Sequence, residues 1–155
     1  MRRKHRMEKE YEPDFLYQSP LATRFINYLM KDGKKSIAQK VFYGTMEIIK
    51  KQTKEDPIKV FELAISNVEP DLEVKTKRIG GANYQIPQAV PEYRKITLAC
   101  RWIIGSAQSK KGKPMKEKLA EELIAAYKNE GNAVKKKLDT HRMAEANRAF
   151  VQFHM

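Results

Sequence analysis

The chain has 155 residues, 41% hydrophobic and 32% charged, which predicts one globular domain with a modest core. Its 31 Lys and Arg against 19 Asp and Glu leave a formal net charge of +12, and an excess of this size favours a polyanionic partner. One cysteine excludes an intramolecular disulfide framework and a CxxC metal site, and no apolar run approaches the roughly 18 residues of a membrane helix, so we expect a cytoplasmic protein without membrane contacts.

The first 18 residues show no hydrophobic periodicity and are rich in cations. Arg2, Arg3 and Lys4 open this segment, and no apolar stretch follows them that would make a secretory signal. A segment of this composition buries too little apolar surface to order itself before a partner neutralises its charge. We therefore predict a flexible basic arm over residues 1–18 and a single helical domain over residues 19–155.

Apolar residues recur at helical spacing in five segments between residues 19 and 131. The first and third segments open with Ser19-Pro20 and Asp56-Pro57, the cap-plus-proline pattern of a helix N-terminus, and the first is predicted to end at Asp32-Gly33. The second runs from about residue 35 to residue 53. Its predicted core-facing residues are Ile37, Ala38, Val41, Phe42, Thr45, Ile48 and Ile49.

A β-hairpin is predicted at about residues 72–90, around the string EVKTKRIGGANYQIP. Gly80-Gly81 supplies the positive φ of a tight turn. Neither face is apolar enough to be buried, so we expect an exposed ribbon with cations on both faces, a shape that suits a nucleic-acid groove. Tyr84 offers a ring for stacking on a base, although a tyrosine packed at the base of a hairpin gives the same pattern.

The last segment, from about Asn132, has few apolar positions between Val134 and Arg142, and its charges almost encircle the helix. Such a helix can dock only partly on the body and exposes the rest to solvent or a partner. The chain is therefore predicted to be mainly α, a six-helix bundle with one protruding β-hairpin between helices three and four.

Four further basic clusters lie at loops or exposed helices, where a bundle can gather charge without disturbing its core. They are residues 2–9, Lys34-Lys35, residues 110–118, and residues 135–137 with Arg142. Five clusters in one small domain favour a nucleic-acid-binding protein. Composition does not separate RNA from double-stranded DNA, so an architectural DNA-binding protein that uses its β-ribbon as an arm is the alternative.

The sequence holds few candidates for catalysis. Its three histidines are scattered without metal-ligand spacing, and Cys100 lies in the apolar stripe of a helix, which favours core packing. Glu121 and Glu122 are interpreted as solvent-exposed helix charges. We predict no enzyme activity, no metal and no cofactor.

Four strings carry a family resemblance that covers nearly the whole chain. VKTKRIGGANYQIP (74–87) and VKKKLDTHRMAEANRAF (134–150) closely resemble the bacterial-type small-subunit ribosomal protein seven family, and FINYLMKDGKKSIAQKVFYG (25–44) and LACRWIIGSA (98–107) occur in matching order and spacing. The resemblance implies a primary binder of small-subunit ribosomal RNA, which folds the 3′ major domain and starts assembly of the subunit head. It also implies the six-helix fold with a β-ribbon.

The resemblance further implies site residues and partners. The ribosomal-RNA surface would comprise Arg2, Arg3, Lys4, Lys34, Lys35, Lys75, Lys77, Arg78, Arg94, Lys113 and Lys116. The surface facing transfer RNA and messenger RNA would comprise Gly81, Ala82, Asn83, Tyr84, Lys136 and Arg142. The ribbon would lie near the exit-site transfer RNA and the messenger exit path, with small-subunit proteins nine and eleven as neighbours and no obligate homo-oligomer.

Overall fold

A computed structural model describes residues 11–154 of the chain. In this range six α-helices and one antiparallel hairpin follow one another, with a C-terminal 3₁₀ helix after them. The elements are α1 (Pro20–Leu29), α2 (Lys35–Thr53), α3 (Pro57–Val68), β1 (Leu72–Ile79), β2 (Ala82–Ala89), α4 (Glu92–Ser109), α5 (Met115–Tyr127), α6 (Gly131–Ala146) and the 3₁₀ helix (Arg148–His154). The predicted mainly α fold, with the hairpin between the third and fourth helices, is confirmed.

The predicted starts of α1 and α3 are confirmed, although only one of the two predicted N-cap residues makes a side-chain hydrogen bond. Pro20 and Pro57 occupy the first turns of α1 and α3, and the Asp56 carboxylate accepts a hydrogen bond from the Ile58 N–H at 3.2 Å. Ser19 has extended backbone geometry but makes no side-chain cap bond. No helix within residues 11–154 is both long and apolar enough to cross a membrane.

The prediction for the end of the first helix was three residues too long. α1 ends at Leu29, and Met30 has extended backbone geometry. Asp32 and Gly33 both have positive φ, of 52° and 72°, which an α-helix does not accommodate. They form instead the turn that leads into α2.

Three phenylalanines hold the first three helices together. Phe25 of α1, Phe42 of α2 and Phe61 of α3 are completely buried, and their ring centroids lie between 5.2 and 5.9 Å apart. The rings meet edge-on or tilted, as aromatic pairs prefer. Around them the buried residues of α4 and α5 complete one core, which includes Cys100 as predicted. Burial raises the pKa of the Cys100 thiol to about 12 and leaves it protonated.

One residue of the predicted α2 stripe is not in the core. Ile37 is 56% exposed and lines an open groove that Leu29, Val41 and Met115 also line. The prediction was wrong because the first turn of α2 lies at the end of the bundle, where the groove stands open between α1, α4 and α5.

Part of the segment that the sequence assigns to the basic arm contacts the body. The Asp14 carboxylate accepts hydrogen bonds from the Leu16 and Tyr17 N–H groups and from the Tyr43 hydroxyl, the last at 2.8 Å. Tyr17 also packs edge-on against the Phe42 ring, with centroids 6.3 Å apart. Residues 1–10 lie outside the described residues, so the arm over residues 1–18 stays a prediction.

Replacing Phe42 with alanine removes the ring that touches both Phe25 and Phe61. We expect the free energy of unfolding to fall by about 3–5 kcal/mol, because a buried cavity replaces the ring and its aromatic contacts. Urea denaturation followed by circular dichroism measures the change. Phe15→Ala is the matched control, since Phe15 is 87% exposed and its replacement should change stability by less than about 0.5 kcal/mol. Equal effects for the two variants would contradict the assigned core.

Candidate nucleic-acid interface

The hairpin has a narrow tip. Its strands pair from Leu72 with Ala89 to Ile79 with Ala82, so Gly80 and Gly81 alone form the turn. Both glycines have positive φ, 57° and 91°, and a Cβ added at either would meet nothing within 4 Å. The predicted two-glycine turn is confirmed, and the tip stands clear of the rest of the described chain.

The charged side chains of the outer half of the hairpin are exposed to solvent. Lys75, Lys77 and Arg78 are exposed, as are Ala82 and Asn83 on the returning strand. The pairing puts Lys75 and Lys77 on one face and Arg78 on the other, as predicted from strand alternation. Cations on both faces of a ribbon can bind phosphates on two sides of a groove.

Part of the inner half of the hairpin is buried, contrary to the prediction that neither face could be. Ile86 is 1% exposed and Pro87 is also buried. Tyr84 packs edge-on against Phe150 of the 3₁₀ helix, with ring centroids 5.4 Å apart. The prediction was wrong because α6 and the 3₁₀ helix pack against the ribbon, a contact between segments far apart in the sequence. The half-buried ring of Tyr84 thus already has one aromatic partner within the chain.

An ion-pair cluster fastens the hairpin to α4. Glu73 of β1 is buried, and both its oxygens accept hydrogen bonds from the Arg94 Nε at 2.8 Å. The Lys75 ammonium lies 3.2 Å from the same carboxylate. Beside them Lys95 pairs with Asp71 at 3.1 Å, and this hydrogen bond lowers the pKa of the Asp71 carboxyl. Arg94, predicted as an RNA ligand, therefore also holds the hairpin in place.

A second group of predicted residues lies at the other end of α4. Lys34 and Lys35 begin α2, while Lys113 and Lys116 flank the start of α5. Lys34 lines the same groove as Gln108 of α4 and Met115 of α5, which places the two turns side by side. Lys113 forms an ion pair with Glu121, and this hydrogen bond raises the pKa of Lys113. We call this set, Lys34, Lys35, Lys113 and Lys116, the groove-end group.

The hairpin group, Lys75, Lys77, Arg78 and Arg94, is separated from the groove-end group by the length of α4. This helix has 18 residues and so spans about 27 Å. The predicted ribosomal-RNA surface is thus two cationic groups rather than one patch. Arg2, Arg3 and Lys4 lie outside the described residues.

The basic helix α6 lies along α4 between the two groups. A Cβ built on Gly105 of α4 would lie 3.9 Å from the Lys136 ammonium, while His141 Nε2 accepts a hydrogen bond from the Asp71 N–H at the hairpin base, at 3.1 Å. Lys136 and Arg142 are both exposed, and the packed side of α6 holds Ala133, Val134 and Ala144. The structure therefore brings Arg142 to the hairpin base, whereas Lys136 lies beside the last third of α4.

The two buried carboxylates that pair with these cations, Glu73 and Glu122, were not predicted from the sequence. Glu73 stands alone among the cations of β1, a pattern that signals an internal ion pair. Glu122 was interpreted as solvent-exposed, which was wrong, since it is 1% exposed. It lies next to Glu121 in the sequence, and only the packing of α6 over α5 buries one and leaves the other partly open.

Among residues 11–154, no group of three or more His, Cys, Asp or Glu side chains is placed to hold a metal ion. The arrangement is instead one of cations on a rigid helical frame, with acidic partners that orient them.

Comparison with known proteins agrees with this geometry. The family model described as ribosomal protein S7p/S5e matches residues 1–148. The chain belongs to the ribosomal protein S7p/S5e family. The small ribosomal subunit protein uS7 of Thermotoga maritima is 55% identical over 153 residues, 99% of each chain. The proteins of that name from Fervidobacterium nodosum and Magnetococcus marinus are 56% and 52% identical, over 99% and 98% of this chain.

Membership of the S7p/S5e family confirms the resemblance seen in the sequence, and the match includes both the hairpin and α6. It also includes the segment of residues 1–10, where Arg2, Arg3 and Lys4 lie.

Arg94→Ala removes the guanidinium that spans both oxygens of Glu73. We expect the free energy of unfolding to fall by about 1–2 kcal/mol, because a buried carboxylate loses its main partner while Lys75 and solvent compensate in part. Thermal melts give the decrease in stability, and hydrogen exchange at the amides of β1 and β2 locates it. Arg78→Ala is the control, since it also removes an arginine, but Arg78 is exposed on β1, the strand that carries Glu73. Unchanged exchange at the hairpin amides in Arg94→Ala would refute the anchoring role.

Proposed function

We propose that the protein is a structural, RNA-binding constituent of the small ribosomal subunit, located in the ribosome, with no catalytic role. It would bind the 3′ major domain of the small-subunit RNA as a primary binder and start assembly of the subunit head. Family membership and the names of its relatives support this proposal. The observation that carries it is the pair of cationic groups at opposite ends of α4.

Phosphate contacts supply the attraction in this proposal. Lys and Arg side chains that neutralise phosphates release counterions, which makes affinity large and dependent on salt. Lys34 and Lys35 at one end and Lys77 and Arg78 at the other reach different parts of a folded RNA at once. The side chains predicted from the family resemblance are the ligands in this scheme, including Arg2, Arg3 and Lys4.

Selectivity follows from the rigidity of the frame. Because the two groups lie at opposite ends of α4, a helix about 27 Å long, only a nucleic acid that presents phosphates at both places engages both. A multi-helix RNA junction has such a fixed arrangement, whereas regular duplex DNA offers one groove geometry that suits the hairpin alone. The architectural DNA-binding alternative uses only the hairpin and leaves the groove-end group without a nucleic-acid ligand.

Competition binding tests the proposal against that alternative. We expect a folded junction from small-subunit RNA to outcompete duplex DNA of equal length by at least about a hundredfold, since only the junction meets both groups. With six to eight phosphates engaged, the slope of log affinity against log salt should lie at about −4 to −7. Fluorescence anisotropy over a series of salt concentrations measures both values. Equal affinity for the two nucleic acids would favour the DNA-binding alternative.

Replacing Lys75, Lys77 and Arg78 together with alanine tests the hairpin group. We expect RNA affinity to fall by at least about tenfold, while the thermal midpoint changes by less than about 3 °C because these side chains are exposed. The control replaces Lys50, Lys51 and Lys54, which are also exposed and lie outside the predicted surface. If RNA affinity falls by the same factor in both triple variants, net charge rather than position governs binding.

The tip of the hairpin and the exposed face of α6 have a separate proposed role. Gly81, Ala82, Asn83 and Tyr84, with Lys136 and Arg142, would face the exit-site transfer RNA and the messenger exit path. The clear space around the two glycines supports this, because a slender tip can enter a gap between larger partners. Small-subunit proteins nine and eleven are the proposed protein neighbours, and no obligate homo-oligomer is proposed.

Deleting residues 80–83 and changing Arg78-Ile79 to Asn-Gly makes a new two-residue turn between Lys77 and Tyr84, which already pair with each other, and so leaves Glu73, Ile86 and Arg94 in place. We expect binding to ribosomal RNA to stay within about threefold of the starting value, because the anchoring contacts and most phosphate ligands remain. Reconstituted subunits with this variant should retain exit-site transfer RNA less well, as filter binding would show. Failure of subunit assembly would contradict this division between anchored base and functional tip.

A further inference from the structure

The carboxylate of Glu122 joins three elements of the fold. It belongs to α5 and is 1% exposed. Oε2 lies 2.8 Å from the ammonium of Lys110, the residue that follows α4. Oε1 accepts a hydrogen bond from the Ala133 N–H, in the first turn of α6, at 2.9 Å. One buried side chain thus ties the start of α6 to the α4–α5 turn.

The start of α6 depends on this contact because its own cap is missing. Glu130 occupies the N-cap position with extended backbone geometry, but its side chain makes no cap hydrogen bond. The first N–H groups of a helix have no partner within the helix, and negative charge beside them is stabilising. Glu122 supplies from α5 the acceptor that a cap residue normally supplies from the helix itself.

The close approach of α6 to Glu122 is built into the backbone. Gly131 begins α6 with a φ of 92°, and a Cβ added there would lie 3.1 Å from Glu122 Oε1 and 3.1 Å from Ala125 Cβ. Both the positive φ and these distances favour glycine. A larger residue at this position pushes the first turn of α6 away from the carboxylate.

The other hydrogen bonds of α6 to the body lie further along the helix. The Lys137 ammonium donates to the Asn67 carbonyl at the end of α3, at 2.9 Å, and His141 meets the hairpin base. α6 is therefore held at the hairpin by one set of contacts and at the α4–α5 turn by Glu122. The two cationic groups of the RNA surface lie at these two places.

Building on the proposed function, we propose that Glu122 is a positioning residue for RNA binding. It fixes the start of α6 at the α4–α5 turn, and α6, which packs against the hairpin, thereby holds the hairpin group in place relative to the groove-end group. It is too deeply buried to touch RNA itself. A carboxylate in such a place is costly unless both oxygens are paired, and here one pairs with a lysine and the other with a helix start. The pairing gives α6 one defined placement.

The test compares Glu122→Gln with Glu121→Gln. Each substitution removes one negative charge, and the two positions are adjacent on α5, so a purely electrostatic effect strengthens RNA binding in both. Glu121→Gln also releases Lys113, which favours binding further. If Glu122 positions α6, Glu122→Gln instead weakens affinity for the junction RNA by about tenfold, with the two variants moving in opposite directions.

Two further readouts separate positioning from stability. Affinities are measured at a temperature where circular dichroism shows both variants folded, so that a change in thermal midpoint alone does not alter them. The salt slope of Glu122→Gln should fall in magnitude by roughly 0.7 to 0.9 for each phosphate that the protein no longer neutralises, a change that a stabilising role alone does not produce. Affinity and slope equal to those of Glu121→Gln would overturn the proposal.

Gly131→Ala is the second variant, and it decides the matter if Glu122→Gln does not fold. It displaces the start of α6 while Glu122 and Lys110 keep their charges, and the same weakening of RNA binding is expected. Unchanged RNA affinity in Gly131→Ala would overturn the proposal.

Hydrogen exchange of the free protein keeps this proposal distinct from the proposed function. In Glu122→Leu the Ala133 amide should exchange faster, whereas the amides in the middle of α4 keep their protection. If the wild-type protein shows no preference for the junction RNA, the proposed function is wrong. Hydrogen exchange would still show whether Glu122 holds α6, and unchanged protection of the Ala133 amide would show that it does not.

Discussion

Mutual repulsion among 31 Lys and Arg side chains is the constraint that this fold must satisfy. The charges have to be held apart at fixed positions while the chain stays compact. The buried cluster of Phe25, Phe42 and Phe61 makes this possible, because its ring contacts join α1, α2 and α3. With α4 and α5 packed on this cluster, the hairpin group and the groove-end group lie at opposite ends of α4, a helix about 27 Å long, so that repulsion between the two groups is weak.

Buried carboxylates orient the basic elements that this core carries. Glu73 forms ion pairs with Arg94 and Lys75 at the hairpin base. Glu122 forms an ion pair with Lys110 and accepts a hydrogen bond from the first turn of α6. Each of the two belongs to one element and pairs with another, so each fixes an angle between elements that apolar packing alone leaves loose. The partly exposed Glu121 contrasts with them, since it pairs with Lys113 at the protein surface, where such pairs contribute little.

The two halves of the hairpin differ in burial. Ile86, Pro87 and the Tyr84–Phe150 contact hold the strands near α6, while the residues from Thr76 to Asn83 are exposed apart from the partly buried Ile79. Stability therefore decreases along the ribbon towards Gly80 and Gly81, as expected where few apolar contacts support the backbone. A base of this kind aims the tip, and the exposed end remains able to adapt to a partner.

The residue pattern determined the helices, the hairpin and the family. Periodicity predicted the first five helices because amphipathic stripes such as Val60, Phe61, Ala64 and Ile65 are local signals, whereas the sixth was predicted from a charged segment with few apolar positions. Gly80-Gly81 marked the turn because two positive φ angles favour residues without a side chain. The family could be recognised without the structure, because the match depends only on the order of the residues in the sequence.

Contacts between separate elements decided the rest. Whether Tyr84 faces a base or Phe150, whether Ile37 lies in the core or in a groove, and whether Glu122 meets water or Lys110 depend on partners that other parts of the chain supply. A linear pattern reports the face on which a side chain lies, but not which element arrives to cover that face. α6 is one such element, since it packs against the hairpin on which Glu73, Ile86 and Pro87 are buried.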